Sequence, residues 1–211
     1  MRIKNLSVTR PNHHSIYQKV KSVLKKYNKN NYFVVGVSGG PDSLALASIA
    51  NDISKENKYK FFFAIVDHSL RKNSEKEAII VKKMLRKINL NVSILKNKKI
   101  ITKNIQKNAR EVRYDLLEKF CKKKNARSLV VAHHQDDQIE TFLIRLSRGS
   151  GVEGLSSMKE MTVLKNGTNL IRPLLDFKKI DLIKIAKKTF GKTLKDPTNK
   201  NKKFLRTNIR V

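Results

Sequence analysis

Apolar and polar positions follow two alternating rhythms along the chain. Residues 15–27 place Ile16, Val20, Val23 or Leu24 and Tyr27 at helical spacing, with lysines between them. "YFVVGV" at 32–37 is a continuous apolar, β-branched run, which predicts a strand buried on both faces. After a Gly-rich turn, "LALASIA" is apolar all round and predicts a helix sunk in the core. "FFFAIVDH" at 61–68 reads as a second buried strand, at the spacing of a βαβ unit. "SEKEAIIVKKMLRKI" opens with Ser74 and Glu77 at capping-box spacing and carries Ala78, Val81, Leu85 and Ile88 on one stripe. "VSIL" at 92–95 is the third strand. A long helix follows, with Ile105, Ala109, Val112, Leu116 and Phe120 on one face. "SLVVA" at 128–132 is the fourth strand, and the helix after it carries Ile139, Phe142, Leu143 and Leu146, a face expected to point into the core.

Four strand–helix alternations predict an α/β fold, a mostly parallel sheet with helices on both faces, completed by a small basic C-terminal appendage. Beyond Gly149 the rhythm changes. "TVLKNGTNLI" reads as a hairpin turning at Asn166-Gly167, and "KIDLIKIAKKTFG" as a helix ending near Gly191. The expected division is a basic helical segment at 1–30, a nucleotide-binding unit at 31–150, and a hairpin, helix and basic tail at 151–211.

Charge sharpens this picture. Forty-seven Lys and Arg face 17 Asp and Glu, a net charge of +30, and such a field attracts nucleic acid. Coding bias accounts for abundant lysine but not for the missing acids. The single cysteine, Cys121, excludes a disulfide framework or a cysteine-based metal cluster within these residues. The N-terminal stretch is basic without an apolar core, and no apolar run approaches the roughly 20 residues that span a bilayer, so no membrane association and a cytoplasmic location are expected.

Three polar clusters fall at the ends of apolar strands: Ser38 to Ser43, Asp67-His68, and His133 to Asp137. Ligands of open α/β sheets sit at these ends. In the first cluster, glycines admit an anion to the backbone, the following helix offers its N-terminal amides, and Ser38 and Ser43 add hydroxyls. The string lacks the Gly-Lys-Ser/Thr of a Walker A loop and the Gly-x-Gly-x-x-Gly dinucleotide spacing. Asp42 would repel a bound phosphate unless Mg²⁺ stood between them.

Ser38-Gly39-Gly40-Pro41-Asp42-Ser43 resembles the phosphate loop of the ATP pyrophosphatase (PP-loop) superfamily. "VDHSLRKNSEKEA", "NIQKNAREVRYDLLEKF", "AHHQDDQIETFLIRLSRGSGVEGLSSM", "IRPLL" and "DPTNKNKKFLRTNIR" resemble, in the same order, segments of the tRNA(Ile)-lysidine synthase family. The resemblance covers about residues 30 to 210. Many members continue into further C-terminal domains, whereas this sequence stops at Val211.

What the resemblance implies is ATP-dependent joining of free L-lysine to C2 of the wobble cytidine in the CAU anticodon of isoleucine tRNA. The base would first be adenylated, with diphosphate released, and the lysine amine would then expel AMP. Ser38, Gly39, Gly40, Pro41, Asp42, Ser43, Asp67, His68 and His133 would bind ATP. Asp42 and Asp137 would hold Mg²⁺. Asp42, Asp137, Glu140 and Arg113 would serve the chemistry, and Arg148, Lys178, Lys179, Arg206 and Arg210 would contact tRNA. Asp137 and Glu140, three apart at a helix start, share a face. Other readings stay open at this point: a different tRNA-modifying enzyme with the same loop, a metal-dependent phosphoesterase using the His and Asp residues, or a basic RNA-binding module without catalysis.

Overall fold

The computed structural model describes residues 13–27, 29–69, 73–98, 101–151, 156–191 and 193. Along them run α1 (His13–Lys26), β1 (Tyr32–Val37), α2 (Pro41–Glu56), β2 (Lys60–Asp67), α3 (Ser74–Arg86), β3 (Val92–Lys96), α4 (Ile105–Lys123), β4 (Ser128–Val130), α5 (Gln135–Ser147), β5 (Met161–Val163), β6 (Asn169–Ile171) and α6 (Lys179–Phe190). The strands form one sheet in the order β3-β2-β1-β4-β6-β5. Every pairing is parallel except the β5–β6 hairpin.

The continuous apolar run of β1 is explained by burial on both sides. Successive strand residues point to opposite faces. Phe33, Val35 and Val37 join a core cluster with side chains of α1, α2, α3 and α6, while Val34 joins a second cluster with Leu117, Phe120 and Cys121 of α4. The expected two-sided α/β sheet is therefore present. Leu44 to Ala50 of α2 are all buried, because this helix is wedged against β1, β2, α1 and α6. The hairpin turns where expected: Gly167 has φ 81° and Leu164 N–H donates to Thr168 O at 2.9 Å. Buried Glu118 of α4 holds this turn by accepting from Asn166 N–H at 3.2 Å. β6 lies beside β4, so the hairpin extends the same sheet.

Three local expectations are corrected. The N-cap of α3 is Asn73, one residue before Ser74, and no side-chain cap hydrogen bond forms there. In α4 the buried residues are Leu117, Glu118, Phe120 and Cys121, while Ile105 is 52% exposed. At 19 residues, α4 outruns the short strands beneath it, so its N-terminal turns overhang the strand tips and only its later turns meet the sheet. In α5 the expected core face is on the outside: Ile139, Phe142, Leu143 and Leu146 are 55%, 43%, 37% and 51% exposed, and the buried residue is Glu140. The first turn of α5 is pinned by polar contacts to the 174–179 segment. Gln135 N–H donates to Phe177 O at 2.9 Å, Gln138 Nε2 to Leu175 O at 3.3 Å, and Lys179 N–H to Asp136 Oδ1 at 3.5 Å. These bonds turn the polar side of α5 inward.

Candidate active site

From β1 the chain continues on one side to β2, and β4 is added later on the other. This reversal makes the crevice outside the carboxyl ends of β1 and β4 the expected ligand site of such a sheet. Both strands end in polar clusters there.

The loop after β1 is open. Gly39 adopts φ 84°, Gly40 caps α2 with φ −68° and ψ 158°, and Pro41 occupies the first helical turn, where its missing N–H costs nothing. Ser43 is turned inward: its Oγ donates to Gly40 O at 3.0 Å and accepts from Ser38 N–H at 3.1 Å. The amides of Gly39, Gly40, Asp42 and Ser43 have no acceptor among the described residues, and the first helical bond is made by Leu44 N–H to Gly40 O. A ring of unsatisfied amides at a helix N-terminus is an anion site in waiting.

Across the crevice, buried His134 joins the two strand ends. Its Nε2 lies 3.5 Å from Asp42 Oδ2 and 3.5 Å from Asp137 Oδ2, and its backbone N–H donates to Asp137 Oδ2 at 3.1 Å. Burial lowers the imidazole's pKa, but its bond to Asp42 and the charges of Asp137, Asp42 and Asp136 outweigh this and leave it raised. Asp137 is raised too, by burial first, with Glu140 and Asp42 adding to it against the lowering effect of His134. Asp42, Asp137 and buried Glu140 are thus brought together, and the histidine that links the first two is His134, to which the sequence assigned no role. The "HH" in "AHHQDD" was the available signal.

Arg113 lies where α4 crosses the end of β1. A Cβ built on Gly36 would be 4.0 Å from its Nη2, an ordinary contact distance, which places the guanidinium against the end of the strand. Burial lowers the Arg113 pKa. His68, just beyond β2, is held low by burial and then by the Arg113 charge, which brings that strand end to the same crevice. Asp67 is buried and spends one carboxylate oxygen on its own turn, accepting from Ser69 N–H at 2.9 Å.

Beside Asp137 lies a cleft of about 260 Å³, lined by Arg110, His133, Asp137, Thr141, Arg145, Met158 and Arg172. Arg110, Arg145, Met158 and Arg172 were not singled out from the sequence. Arg172 sits in "IRPLL", where a strand-end arginine looks like any other. Of the residues expected to contact tRNA, Lys178 and Lys179 stand at the N-terminus of α6, tied to Asp136 through the Lys179 amide. Arg148 caps the far end of α5, roughly 16 Å along the helix from Asp137 at 1.5 Å per residue. Arg206 and Arg210 lie outside the described residues.

The donor set suits one kind of metal site. Asp42 Oδ1 is buried and has no hydrogen-bond partner, and it adjoins the open amides. Mg²⁺ is typically held by one or two carboxylates together with substrate phosphates. No group of three or more His, Cys, Asp or Glu side chains among the described residues has metal-binding geometry, so the residues fit an ion shared with a nucleotide rather than a protein cage.

Comparison with known proteins agrees with the geometry. The chain is 44% identical over 181 residues to a tRNA(Ile)-lysidine synthase of Wolbachia pipientis wMel, covering 84% of this chain and 42% of that protein. It is 38% identical over 185 residues to that of Orientia tsutsugamushi, covering 87% of this chain and 42% of that protein. The chain therefore spans less than half the length of these relatives. Among solved structures, the U34-tRNA thiolase NcsA of Methanococcus maripaludis, with its [4Fe-4S] cluster, superposes with a TM-score of 0.75 at 18% identity over 93% of this chain and 69% of that one. The NH3-dependent NAD synthetase of Campylobacter jejuni superposes with a TM-score of 0.53 at 17% identity over 95% of this chain and 86% of that one. The PP-loop domain profile matches residues 12–211, and with the open loop at the tip of β1 in place, the chain belongs to the PP-loop domain family.

Proposed function

We propose that this chain catalyses, alone or as part of a longer protein, ATP-dependent attachment of free lysine to C2 of the wobble cytidine in the CAU anticodon of isoleucine tRNA. The observation that carries the proposal is the facing pair at the β1 and β4 ends: an open amide loop carrying Asp42 on one side, and Asp137 on the other, with His134 between the two carboxylates. In the first step the cytosine O2 attacks the α-phosphorus of ATP, the bond to the β-phosphate breaks, and diphosphate leaves. In the second, the lysine ε-amine attacks C2 and AMP leaves with the bond electrons. Charge gathers on phosphate oxygens in the first step, where the amides of Gly39, Gly40, Asp42 and Ser43 would meet it. Asp42 and Asp137 would hold Mg²⁺, whose chemistry is to neutralise charge on the phosphate oxygens.

The amine sets its own demand. A lysine ammonium of pKa about 10.4 costs roughly 4–5 kcal/mol to deprotonate at neutral pH, at about 1.36 kcal/mol per unit. A carboxylate beside the amine can hold the ammonium and then take or relay its proton, the part that falls to Asp137 and Glu140. Glu140, three residues on, would share the work of holding the ammonium. Arg113, held above Gly36, would face the nucleotide or the displaced base, which must leave its stack to be reached. Lys178, Lys179 and Arg148 would take tRNA phosphates, as would Arg206 and Arg210. A cluster ligated by cysteines, like that of the thiolase neighbour, is incompatible with the single buried Cys121 of these 211 residues. Among the described residues no helix is long and apolar enough to cross a membrane.

The test incubates the chain with ATP, labelled lysine and isoleucine tRNA transcripts. Lysine incorporation only into the CAU transcript is expected, together with loss of transcript-dependent ATP–diphosphate exchange in Asp42→Ala. Exchange that persists in Asp42→Ala, or label entering every transcript, would overturn the assignment.

A further inference from the structure

The tip of β2 is held in an unusual conformation. Ser69 has φ 53°, in the left-handed region. Every other non-glycine residue found there among the described residues is an asparagine: Asn31, Asn89, Asn104 and Asn125. Asparagine visits that region readily, whereas serine seldom does. A residue kept in a sparsely populated conformation needs surroundings that over-determine it.

Those surroundings are explicit. Asp67, itself buried, accepts from Ser69 N–H through Oδ1 at 2.9 Å. From the neighbouring β3, Asn97 adds two bonds. Its backbone N–H donates to Asp67 O at 2.9 Å, and its Nδ2 donates to His68 O at 3.2 Å. The second bond comes from a side chain, one residue past the Asp67–Lys96 pair that closes the β2–β3 ladder. Asn97 is only 7% exposed, and a buried carboxamide must find partners. The donor of this one is spent on the residue just before the left-handed turn. What the turn presents is His68. Its imidazole stands near Arg113 in the crevice, and its Nδ1 is buried with no hydrogen-bond partner among the described residues. A buried polar atom left unpaired is costly, and a ligand in the crevice would relieve it.

We propose that Asn97 is a positioning residue for nucleotide binding: it clamps the His68–Ser69 turn in its left-handed form and so presets His68 in the crevice for ATP. The inference rests on the ATP-binding part of the reading above and not on lysine transfer. Asn97 acts through the turn. It raises the population of the binding-competent form, and apparent affinity scales with that population.

The experiment measures ATP binding calorimetrically on the chain without tRNA, below the Tm of each variant. Asn97→Ala is expected to weaken ATP about 3- to 10-fold, the loss of one hydrogen bond, and Asn97→Asp, of the same shape without the donor, at least as much. In ligation to the CAU transcript, the KM for ATP should rise by the same factor, while the KM for lysine and kcat at saturating ATP hold. Glycine enters the left-handed region without penalty, so adding Ser69→Gly to Asn97→Ala should restore most of the lost affinity. A merely structural Asn97 would lower Tm and leave the ATP affinity of the folded chain unmoved, with nothing to rescue. Should Asn97→Ala fail to fold, the exposed Ser69 reads the same turn. Ser69→Val, whose branched side chain resists positive φ, should weaken ATP about 10-fold, and Ser69→Gly should match wild type. Wild-type affinity in Asn97→Ala or in Ser69→Val overturns the clamp, as does failure of Ser69→Gly to rescue. Lysine incorporation is the separate control: its failure in wild type sinks the ligation reading, and the ranking of ATP affinities across these variants still decides the clamp.

Discussion

Gly39 and Gly40 are neighbours in the same loop, yet alanine should harm them in different ways. Gly39 has φ 84°, a backbone conformation that costs an L-residue roughly 1–2 kcal/mol. At about 2–4 °C per kcal/mol for a chain of this size, Gly39→Ala should lower Tm by about 2–8 °C. Gly40 sits at φ −68° and ψ 158°, open to any residue, and a Cβ there would meet only the Ser38 hydroxyl, at an ordinary 3.7 Å. Gly40→Ala should therefore leave Tm unchanged. The new methyl would nonetheless stand among the unsatisfied amides. If they hold phosphate, losing one charge-assisted bond, about 1.5–3 kcal/mol, weakens ATP about 10- to 100-fold. Thermal unfolding with and without ATP reads both effects at once. Nucleotide at 100 times its Kd stabilises by about 2.7 kcal/mol, and this shift should shrink in Gly40→Ala while the nucleotide-free Tm stays put. A Gly40→Ala chain with the full ATP-induced shift would refute phosphate binding at that amide. A Gly39→Ala chain as stable as wild type would refute the strain.

The remaining expectations concern two leucines, the cysteine and the basic surface. Leu117→Ala, in the core beneath α4, should cost about 2–5 kcal/mol in denaturant unfolding, whereas Leu143→Gln on the outer face of α5 should stay within about 0.5 kcal/mol. Cys121 is fully buried and its thiol is pushed up to about 12, so the native chain should resist thiol reagents at pH 8 and react only on unfolding. Because the unfolded thiol ionises near 9.0 and the folded one near 12, its contribution to stability is complete below pH 9.0 and is lost as pH rises towards 12; Cys121→Ala should show a correspondingly shallower alkaline fall in Tm. Binding of the tRNA transcript should fall steeply with salt, and Lys178→Ala should reduce the log–log slope by about one, measured by gel-shift titration.

What the sequence made legible is the part of the fold in which burial follows from local pattern. Residues 33–37 of β1 and 44–50 of α2 are almost continuously apolar because protein covers them on every side, and the strand before the glycine turn could be read to the residue. The stripe on α3 was legible for the same reason: Ala78, Val81 and Leu85 are buried as spaced. α4 was misread because a stripe of apolar residues says nothing about how far the sheet beneath it extends. Its overhanging half instead carries Arg110 and Arg113 over the strand tips. The carboxylates were legible because each followed an apolar run, whereas Arg172, arriving at the end of a three-residue strand, was visible only as part of a family string. Its placement comes from partners 10 and 13 residues away in sequence, at Thr162 and Lys159, which no local pattern encodes.

The inverted α5 shows where folding preference and chemistry conflict. Rotated by half a turn, the helix would bury more of Ile139, Phe142, Leu143 and Leu146, each worth about 1.5–3 kcal/mol when fully removed from water. The same rotation would swing Asp137 away from His134 and bring Glu140 out to solvent. What opposes it is a set of directional bonds confined to the first turn: Gln135 to Phe177, Gln138 to Leu175, Lys179 to Asp136, and His134 N–H to Asp137. Bonds of this kind contribute about 0.5–1.5 kcal/mol each, more where a carboxylate is involved, so they compete with the forgone burial without overwhelming it. A helix whose apolar stripe faces outward while its acids face in breaks the local rule at the position where the proposed chemistry needs the acids, and functional sites are where such departures concentrate.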